Sequence, residues 1–333
     1  MRLLVPLLSL LTVSCVSANY WTFSHFAHGT TYHIVVKNPP AGTAEKIADV
    51  FSEIDMTFSM FNPESLTSRI NRNETDAVTP LFEYLFAMAK QVNAATDGYF
   101  DSTVAPLVDA WGFGPSGVQA EPDVDSLMEF VGMGKVRIKA GTSVAAGRII
   151  KDEPRVRLDF SSIAKGFTVD RLALMLDGEG VDSYMVEVGG EVRVKGTNEK
   201  YRREWRIQID KPAFGIVSER EAMVAFSGGL RAIATSGNYR NWFVDESGRT
   251  RVHTIDPLTG FPSIGEILSV SIVAAECALA DAWATGIMAS GTVERAQRML
   301  ERAPAGIEYY VVSGDEGNST SAFHSPGFPL MDN

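Results

Sequence analysis

The sequence predicts an α+β fold in which mixed and antiparallel sheets pack against helices. Two segments, 43–58 and 81–96, have the apolar spacing of amphipathic helices. Several short apolar segments are joined in pairs by turns, as in β-hairpins. An example is 184–194, where Gly189-Gly190 lies between two predicted strands. Strands and helices do not alternate strictly along the chain, and this argues against a doubly wound parallel sheet.

The predicted elements run from a strand at 31–36 to a strand at 306–312. One face of the helix at 43–58 carries the apolar stripe Ile47, Val50, Phe51, Ile54 and Phe58. The helix at 81–96 is followed by Asp97-Gly98, which is a helix stop signal. Further strands are predicted at 137–139, 156–160, 205–210, 221–226 and 267–275, and further helices at 166–177, 277–291 and 293–302. We expect the tail after Gly314 to be loosely ordered.

Composition and charge limit the classes of function. The chain has 333 residues, of which 45% are hydrophobic and 21% charged, as in ordinary globular proteins. The net charge of −11 argues against a nucleic-acid partner, although local positive groups can still bind a small anion. We predict one catalytic unit over 19–333, either a single domain or two intimately packed subdomains.

The N-terminus has the pattern of an export signal over residues 1–18. Arg2 precedes an apolar run, 3–13, that is too short to span a membrane. Lipoprotein processing would leave Cys15 as the lipidated first residue, although Thr12 makes the lipobox a poor one. Ordinary cleavage after Val16-Ser17-Ala18 is the alternative. Both routes predict an exported, periplasmic protein, and the first would tether it to the inner membrane.

The helix at 277–291 carries polar residues that its apolar surroundings do not explain. Asp281 and Thr285 are four residues apart and therefore share one face. A carboxylate and a hydroxyl in an apolar helix need a partner, and a hard cation is one that suits oxygen ligands. A helix cap or a structural hydrogen bond is the alternative. Cys277, in the same helix, is expected to pack as a small hydrophobic residue rather than to act as a nucleophile.

Four further segments combine polar residues, glycines and aromatic rings: 59–71, 97–114, 159–171, and 234–240 followed by 251–260. An exposed aromatic ring in such a segment can stack on a planar ligand. The segment 159–171 leads from an extended stretch into a helix and contains a lysine, a combination that suits phosphate. His253 precedes an Asp-Pro-x-Thr-Gly turn, and of the five histidines it is the best candidate for a general base.

Eight motifs in order resemble the family of FAD:protein FMN transferases, the flavin-trafficking ApbE-type proteins. They are HGTTYHI (28–34), SMFNPESLTSRIN (59–71), DGYFDSTVAPLVDAWGFGP (97–115), DFSSIAKGFTVDR (159–171), VEVGGEVRVKG (186–196), ATSGNYRNWF (234–243), HTIDPLTGFP (253–262) and ADAWATGIM (280–288). The resemblance implies an ApbE-like, T-fold-related architecture. It also implies an Mg²⁺-dependent enzyme that transfers FMN from FAD to a threonine or serine of a target protein and releases AMP. The implied partners are flavin-accepting subunits of membrane redox complexes, with a target motif of the form D-G-x-[ST]-G-A-[ST].

The resemblance also assigns roles to individual residues. Asp281 and Thr285 match metal ligands, and a main-chain oxygen at Thr168 would join them, while Ala284 stands where some members have a second aspartate. His253 matches the residue that activates the acceptor hydroxyl. The implied FAD-binding positions are His28, Phe61, Tyr99, Phe100, Asp101, Lys165, Arg171 and the backbone at Ile255. Phe61 replaces the usual tyrosine, and His28 replaces the usual methionine.

Two other functions remain open at this point. The same site would act as an FAD pyrophosphatase, giving FMN and AMP, if water took the place of the acceptor hydroxyl. A periplasmic flavin-binding protein without catalytic activity is the second alternative, but binding alone requires neither the Asp281–Thr285 pair nor His253.

Overall fold

A computed structural model describes residues 19–117, 121–139, 141, 146–199, 201, 203–213, 219–226, 230–240, 242–245, 248–314 and 320–331. The predicted signal segment and Cys15 lie outside these residues. In the part of the chain that is described, every helix is too short or too polar to cross a membrane.

The described elements follow one another as strands and helices without strict alternation. The strands are β1 (Tyr20–Ala27), β2 (Thr30–Lys37), β3 (Ala77–Val78), β4 (Val136–Lys139), β5 (Gly147–Lys151), β6 (Tyr184–Val188), β7 (Glu191–Lys195), β8 (Trp205–Asp210), β9 (Arg220–Phe226), β10 (Leu230–Gly237), β11 (Trp242–Val244), β12 (Thr250–Val252), β13 (Ile267–Ala274), β14 (Glu308–Gly314) and β15 (Thr320–His324). The helices are α1 (Thr43–Phe58), α2 (Leu66–Asn71), α3 (Pro80–Ala95), α4 (Ala105–Ala110), α5 (Val124–Met128), α6 (Ser161–Gly178), α7 (Cys277–Ser290) and α8 (Val293–Leu300).

An eight-stranded sheet forms the centre of the fold, in the order β1-β2-β6-β7-β10-β13-β14-β15, and all its neighbouring strands are antiparallel. Side chains alternate between its two faces, so that Ala232 and Ile233 of β10 enter different apolar clusters. The cluster of Ala232 includes residues of α1 and α6, and that of Ile233 includes residues of the β8–β9 hairpin. The predicted α+β class with antiparallel sheets is therefore confirmed.

Helix α7 packs directly against Gly166 of α6, at a contact that leaves no room for a side chain. A Cβ at Gly166 would lie 2.4 Å from the main-chain oxygen of Cys277. Asp170, one turn further along α6, accepts hydrogen bonds from the main-chain N–H groups of Cys277 (2.9 Å) and Ala278 (2.8 Å). The same carboxylate pairs with buried Arg193 of β7. Asp170 thus caps the start of α7 and fixes its position against α6 and the sheet.

Two predictions about local structure are wrong. Residues 156–160 form no strand, because the side chain of Asn71 bonds both the N–H (2.7 Å) and the carbonyl (2.8 Å) of Leu158, as a neighbouring strand would. The tail after Gly314 is not loosely ordered over the described residues 320–331. It contains β15, which pairs with β14, and Phe328, which is buried against the sheet.

Candidate active site

A cavity of about 910 Å³ opens where the ends of several elements meet. That volume lies within the range of pockets that enclose a sizeable organic ligand. Its wall includes the β1–β2 turn, the loops that follow α1 and α3, the start of α6, the end of β10 and the middle of α7. Residues far apart in sequence therefore share one concave site.

Asp281 and Thr285 of α7 face this cavity side by side, as their spacing predicts. The Asp281 carboxylate is 2% exposed and accepts the main-chain N–H of Gly166 at 3.0 Å. The Thr285 hydroxyl lies 3.2 Å from the hydroxyl of Ser236 and 3.5 Å from the carbonyl of Ser162. The two residues thus lie among oxygen atoms contributed by α6, α7 and β10.

Lys165 supplies positive charge beside Asp281. Its ammonium lies 3.6 Å from Asp281 Oδ2 and 3.4 Å from Glu191 Oε1. Burial lowers the pKa of Lys165, but the two carboxylates outweigh this effect and leave that pKa raised. Lys165 therefore stays protonated at neutral pH. Burial raises the pKa of Asp281, against the opposing effects of Lys165 and the Gly166 N–H.

His253 lines the cavity at the start of a rigid loop. The main chain closes this loop through hydrogen bonds from Asp256 N to Phe261 O (2.9 Å) and from Gly260 N to Asp256 O (2.8 Å). Gly260 has a φ of 79°, and its carbonyl accepts from the Trp111 indole at 2.7 Å. The predicted Asp-Pro-x-Thr-Gly turn is therefore present, and it holds the His253 backbone in place.

Aromatic rings lie along the cavity wall. Phe61, in the loop after α1, is 60% exposed and offers a free ring face to a planar ligand. Tyr99 and Phe100 follow α3, and Phe100 is almost fully buried. Asp101 is buried beside them, and its carboxylate accepts hydrogen bonds from the N–H groups of Thr103 (2.7 Å) and Met133 (3.0 Å). Asp101 thus fixes the loop, and Phe61 and Tyr99 are left to meet a ligand.

His28 lies in the β1–β2 turn with a φ of 51°. Its Nε2 is 3.1 Å from the Phe51 carbonyl, and its ring meets the Phe51 ring edge-on at 5.1 Å. Because a carbonyl only accepts, Nε2 carries the proton. Burial lowers the pKa of His28 below its ordinary value of 6.5, so the ring that lines the cavity is neutral.

Comparison with known proteins identifies the family. The model of the ApbE family matches residues 28–311. The chain belongs to the ApbE family. It is 34% identical over 313 residues to the FAD:protein FMN transferase of Haemophilus influenzae, covering 89% of this chain and 88% of the relative. It is 35% identical over 304 residues to the enzyme of that name from Vibrio cholerae, covering 87% and 86%.

Solved structures of the ApbE family share the fold. The flavin transferase ApbE from Vibrio cholerae matches with a TM-score of 0.78 at 31% identity, covering 94% of this chain and 100% of that one. The apo form of the Pseudomonas stutzeri flavinyl transferase ApbE matches with a TM-score of 0.77 at 28% identity, covering 93% and 95%. The ApbE-like architecture implied by the motifs is therefore confirmed.

The cavity brings together most of the site residues that the ApbE resemblance implies, but two of them lie elsewhere. Thr168 is fully buried inside α6, and its hydroxyl donates to the Ala164 carbonyl at 2.8 Å. Arg171 pairs with Glu53 of α1 at 3.1 Å. Neither Thr168 nor Arg171 is among the residues that line the cavity. The lining residues that were predicted are His28, Phe61, Tyr99, Phe100, Asp101, Lys165, His253, Ile255, Asp281 and Thr285.

Sequence reasoning missed three residues of the site. Ser162 and Ser236 lie in motifs singled out above, but no role was assigned to their oxygen atoms. Glu191 follows the Gly189-Gly190 turn at the start of β7 and is 3% exposed. A carboxylate directly after a glycine pair, at the first position of a strand, is a signal that could have identified it.

Proposed function

We propose that this protein is an FAD:protein FMN transferase. It would attach FMN through a phosphoester to a threonine or serine hydroxyl of a target protein and release AMP. One observation carries the proposal: the Asp281–Thr285 pair, the Lys165 ammonium and His253 line the same cavity as the rings of Phe61 and Tyr99. The names of the ApbE relatives support the same activity.

The oxygen atoms around Asp281 suit a hard divalent cation such as Mg²⁺. Asp281 offers a buried carboxylate and Thr285 a hydroxyl, with the Ser162 carbonyl 3.5 Å from that hydroxyl. Within the described residues, no three His, Cys, Asp or Glu side chains cluster in a way that would hold a metal. Only two side chains would therefore bind the ion, with main-chain oxygen, substrate and water completing its shell. When bound, the metal would neutralise charge on the pyrophosphate.

The residues of the chain account for the remaining parts of a one-step transfer. His253 would take the proton of the acceptor hydroxyl as its oxygen attacks the phosphorus of the FMN half. The bond between that phosphorus and the bridging oxygen breaks, and AMP leaves with the electron pair. Lys165, held protonated by Asp281 and Glu191, would stabilise negative charge on the phosphates. The ring of Phe61 would stack on the flavin.

The proposal extends to location and partners. We propose that the signal pattern at 1–18 directs export to the periplasm and that lipidation at Cys15 tethers the protein to the inner membrane. Its partners would be flavin-accepting subunits of membrane redox complexes that carry the D-G-x-[ST]-G-A-[ST] motif. The mass of the N-terminal peptide of the mature protein tests the lipidation. A peptide that begins with diacylated Cys15 and one that begins at residue 19 have clearly different masses.

Incubation with FAD, Mg²⁺ and a motif-bearing acceptor domain separates the three candidate activities. A fluorescent flavin-labelled acceptor together with AMP is the expected result. Free FMN and AMP with an unlabelled acceptor would instead indicate a pyrophosphatase. Unchanged FAD that co-elutes with the protein would indicate a flavin-binding protein without catalytic activity. A parallel incubation with EDTA tests the metal requirement, because transfer should stop and return when Mg²⁺ is restored.

A further inference from the structure

A second cavity of about 490 Å³ lies beside the first, along α8. We call it the arginine groove. Three arginines of the α8 segment line it, together with Tyr99 and Leu258. The arginines are Arg295, Arg298 and Arg302. Apart from Tyr99, the residues that line the groove have no part in the transfer chemistry described above.

The arginine groove borders the active-site cavity. Tyr99 lines both of them. Pro257 lines the cavity, and the next residue, Leu258, lines the groove and is 50% exposed. A Cβ at Gly98 would lie 3.2 Å from the Leu258 side chain, so this part of the rim is closely packed. A polypeptide that leaves the cavity over Tyr99 would therefore pass next to the groove.

Two of the three arginines have hydrogen-bonding capacity to spare. Arg302 is paired with Asp97, with Nη1 3.1 Å from Oδ1. Arg298 lies 3.9 Å from Glu294, and both side chains are more than half exposed, so the pair is weak. Arg295 lies 5.7 Å above the Tyr99 ring and donates to the Ser290 carbonyl at 3.1 Å. Its guanidinium is within ion-pair distance of no carboxylate among the described residues.

The charge of the groove is opposite to that of the whole chain. Three arginines and two acidic residues, Asp97 and Glu301, line it, with Glu294 outside the lining beside Arg298, whereas the protein has a net charge of −11. An acidic segment would be repelled by most of the surface but attracted to this rim. Guanidinium groups also bind carboxylates in pairs of parallel hydrogen bonds, and this fixes the direction of approach.

We propose that the arginine groove docks an acidic stretch of the acceptor polypeptide next to the hydroxyl that receives FMN. This inference rests on the proposed transferase activity and adds how the acceptor is recognised. A polypeptide suits the groove because its chain continues on both sides of the modified residue and must cross the cavity rim. The contact is with the acceptor and not with FAD, so it affects acceptor recognition and leaves the chemical step unchanged.

Charge reversal at Arg298 tests the proposal. This side chain is 63% exposed, so its substitution should leave the packing of the core unchanged. The matched control is Arg206→Glu, an exposed arginine of β8 that lines neither cavity. We expect Arg298→Glu to raise the KM for an acceptor domain with acidic flanks by roughly threefold to tenfold. The kcat and the KM for FAD should stay at wild-type values, as should every constant of Arg206→Glu.

A charge swap completes the test. Replacing the acidic flanking residues of the acceptor with lysine should raise its KM for the wild type and lower it for Arg298→Glu. An unchanged acceptor KM in Arg298→Glu, while the wild type transfers FMN, would overturn the docking proposal alone. A raised KM for FAD would assign the groove to the nucleotide and also overturn it. Failure of the wild type to label any motif-bearing acceptor domain would overturn the proposed function itself.

Discussion

Gly166 of α6 donates its main-chain N–H to the carboxylate of Asp281 across the contact with α7, at 3.0 Å. The contact requires glycine, because an added Cβ would meet the backbone of Cys277 and Ala278 at 2.4 to 2.8 Å. Close approach of the two helices and placement of the Asp281 carboxylate thus depend on the same residue.

Gly166→Ala should therefore reduce both stability and activity. The clash is with backbone, which cannot move aside as a flexible side chain would, and we expect roughly 1–3 kcal/mol less free energy of unfolding in urea. Gly178→Ala is the matched control, since a Cβ at that last residue of α6 meets open space. Gly178→Ala should be neutral or slightly stabilising. Equal stability of the two variants would contradict this account of the α6–α7 contact.

Asp281→Asn should abolish Mg²⁺-dependent transfer. The amide keeps the shape of the side chain but removes the negative charge, so we expect a loss of about a hundredfold or more in turnover and no saturable Mg²⁺ response. Thr285→Val should lose less, because it removes only a neutral oxygen. Asp109→Asn, at a buried carboxylate outside the cavity, should retain the metal response. Full Mg²⁺-dependent activity in Asp281→Asn would remove this residue from the metal site.

His253→Ala should bind FAD but transfer FMN slowly. Loss of a general base lowers turnover by about 10² to 10⁴, whereas the aromatic wall that would hold the flavin stays in place. FAD binding is measured by the quenching of flavin fluorescence and transfer by labelling of the acceptor. His33→Gln, at an exposed histidine of β2, should match the wild type in both assays. Wild-type transfer rates in His253→Ala would exclude it as the base.

His28→Met should make the stability of the protein less sensitive to acid. The folded-state pKa of His28 is lowered by burial, so below about pH 6.5 the unfolded chain binds a proton that the folded protein does not. Stability of the wild type is therefore lost as pH falls through this window, and methionine removes that contribution. The urea midpoint of the wild type should fall relative to that of His28→Met between pH 7 and pH 5. A difference in urea midpoint that stays constant with pH would show that the pKa of His28 is the same in the folded and unfolded states.

Helical spacing alone predicts that Asp281 and Thr285 share one face of α7, and both residues line the cavity. Phe61 and Tyr99, which the turn-rich motifs singled out, also line the cavity, Phe61 exposed and Tyr99 half-buried against the core. Thr168 was assigned from the family resemblance alone, and it lies fully buried inside α6, which starts at Ser161 rather than at the predicted Gly166. A carbonyl inside a helix is normally occupied by the N–H four residues later.

Long-range contacts explain the other errors. No local pattern indicates that Asn71 pairs with Leu158 or that Arg171 meets Glu53, because these partners are far apart in sequence. Strand β10 was not predicted either, yet it carries Ser236 to Thr285. Such pairings follow from tertiary packing, which a single sequence does not encode in local spacing.

The residues of the cavity wall span the sequence from His28 to Thr285 and come from most parts of the fold. No short fragment contains it, so the cavity exists only when the whole unit is folded. A ligand that fills it therefore binds the native state alone and raises global stability, by about 2.7 kcal/mol at a hundred times its dissociation constant. The supply of that ligand would then influence how long each molecule survives proteolysis as well as how fast it works.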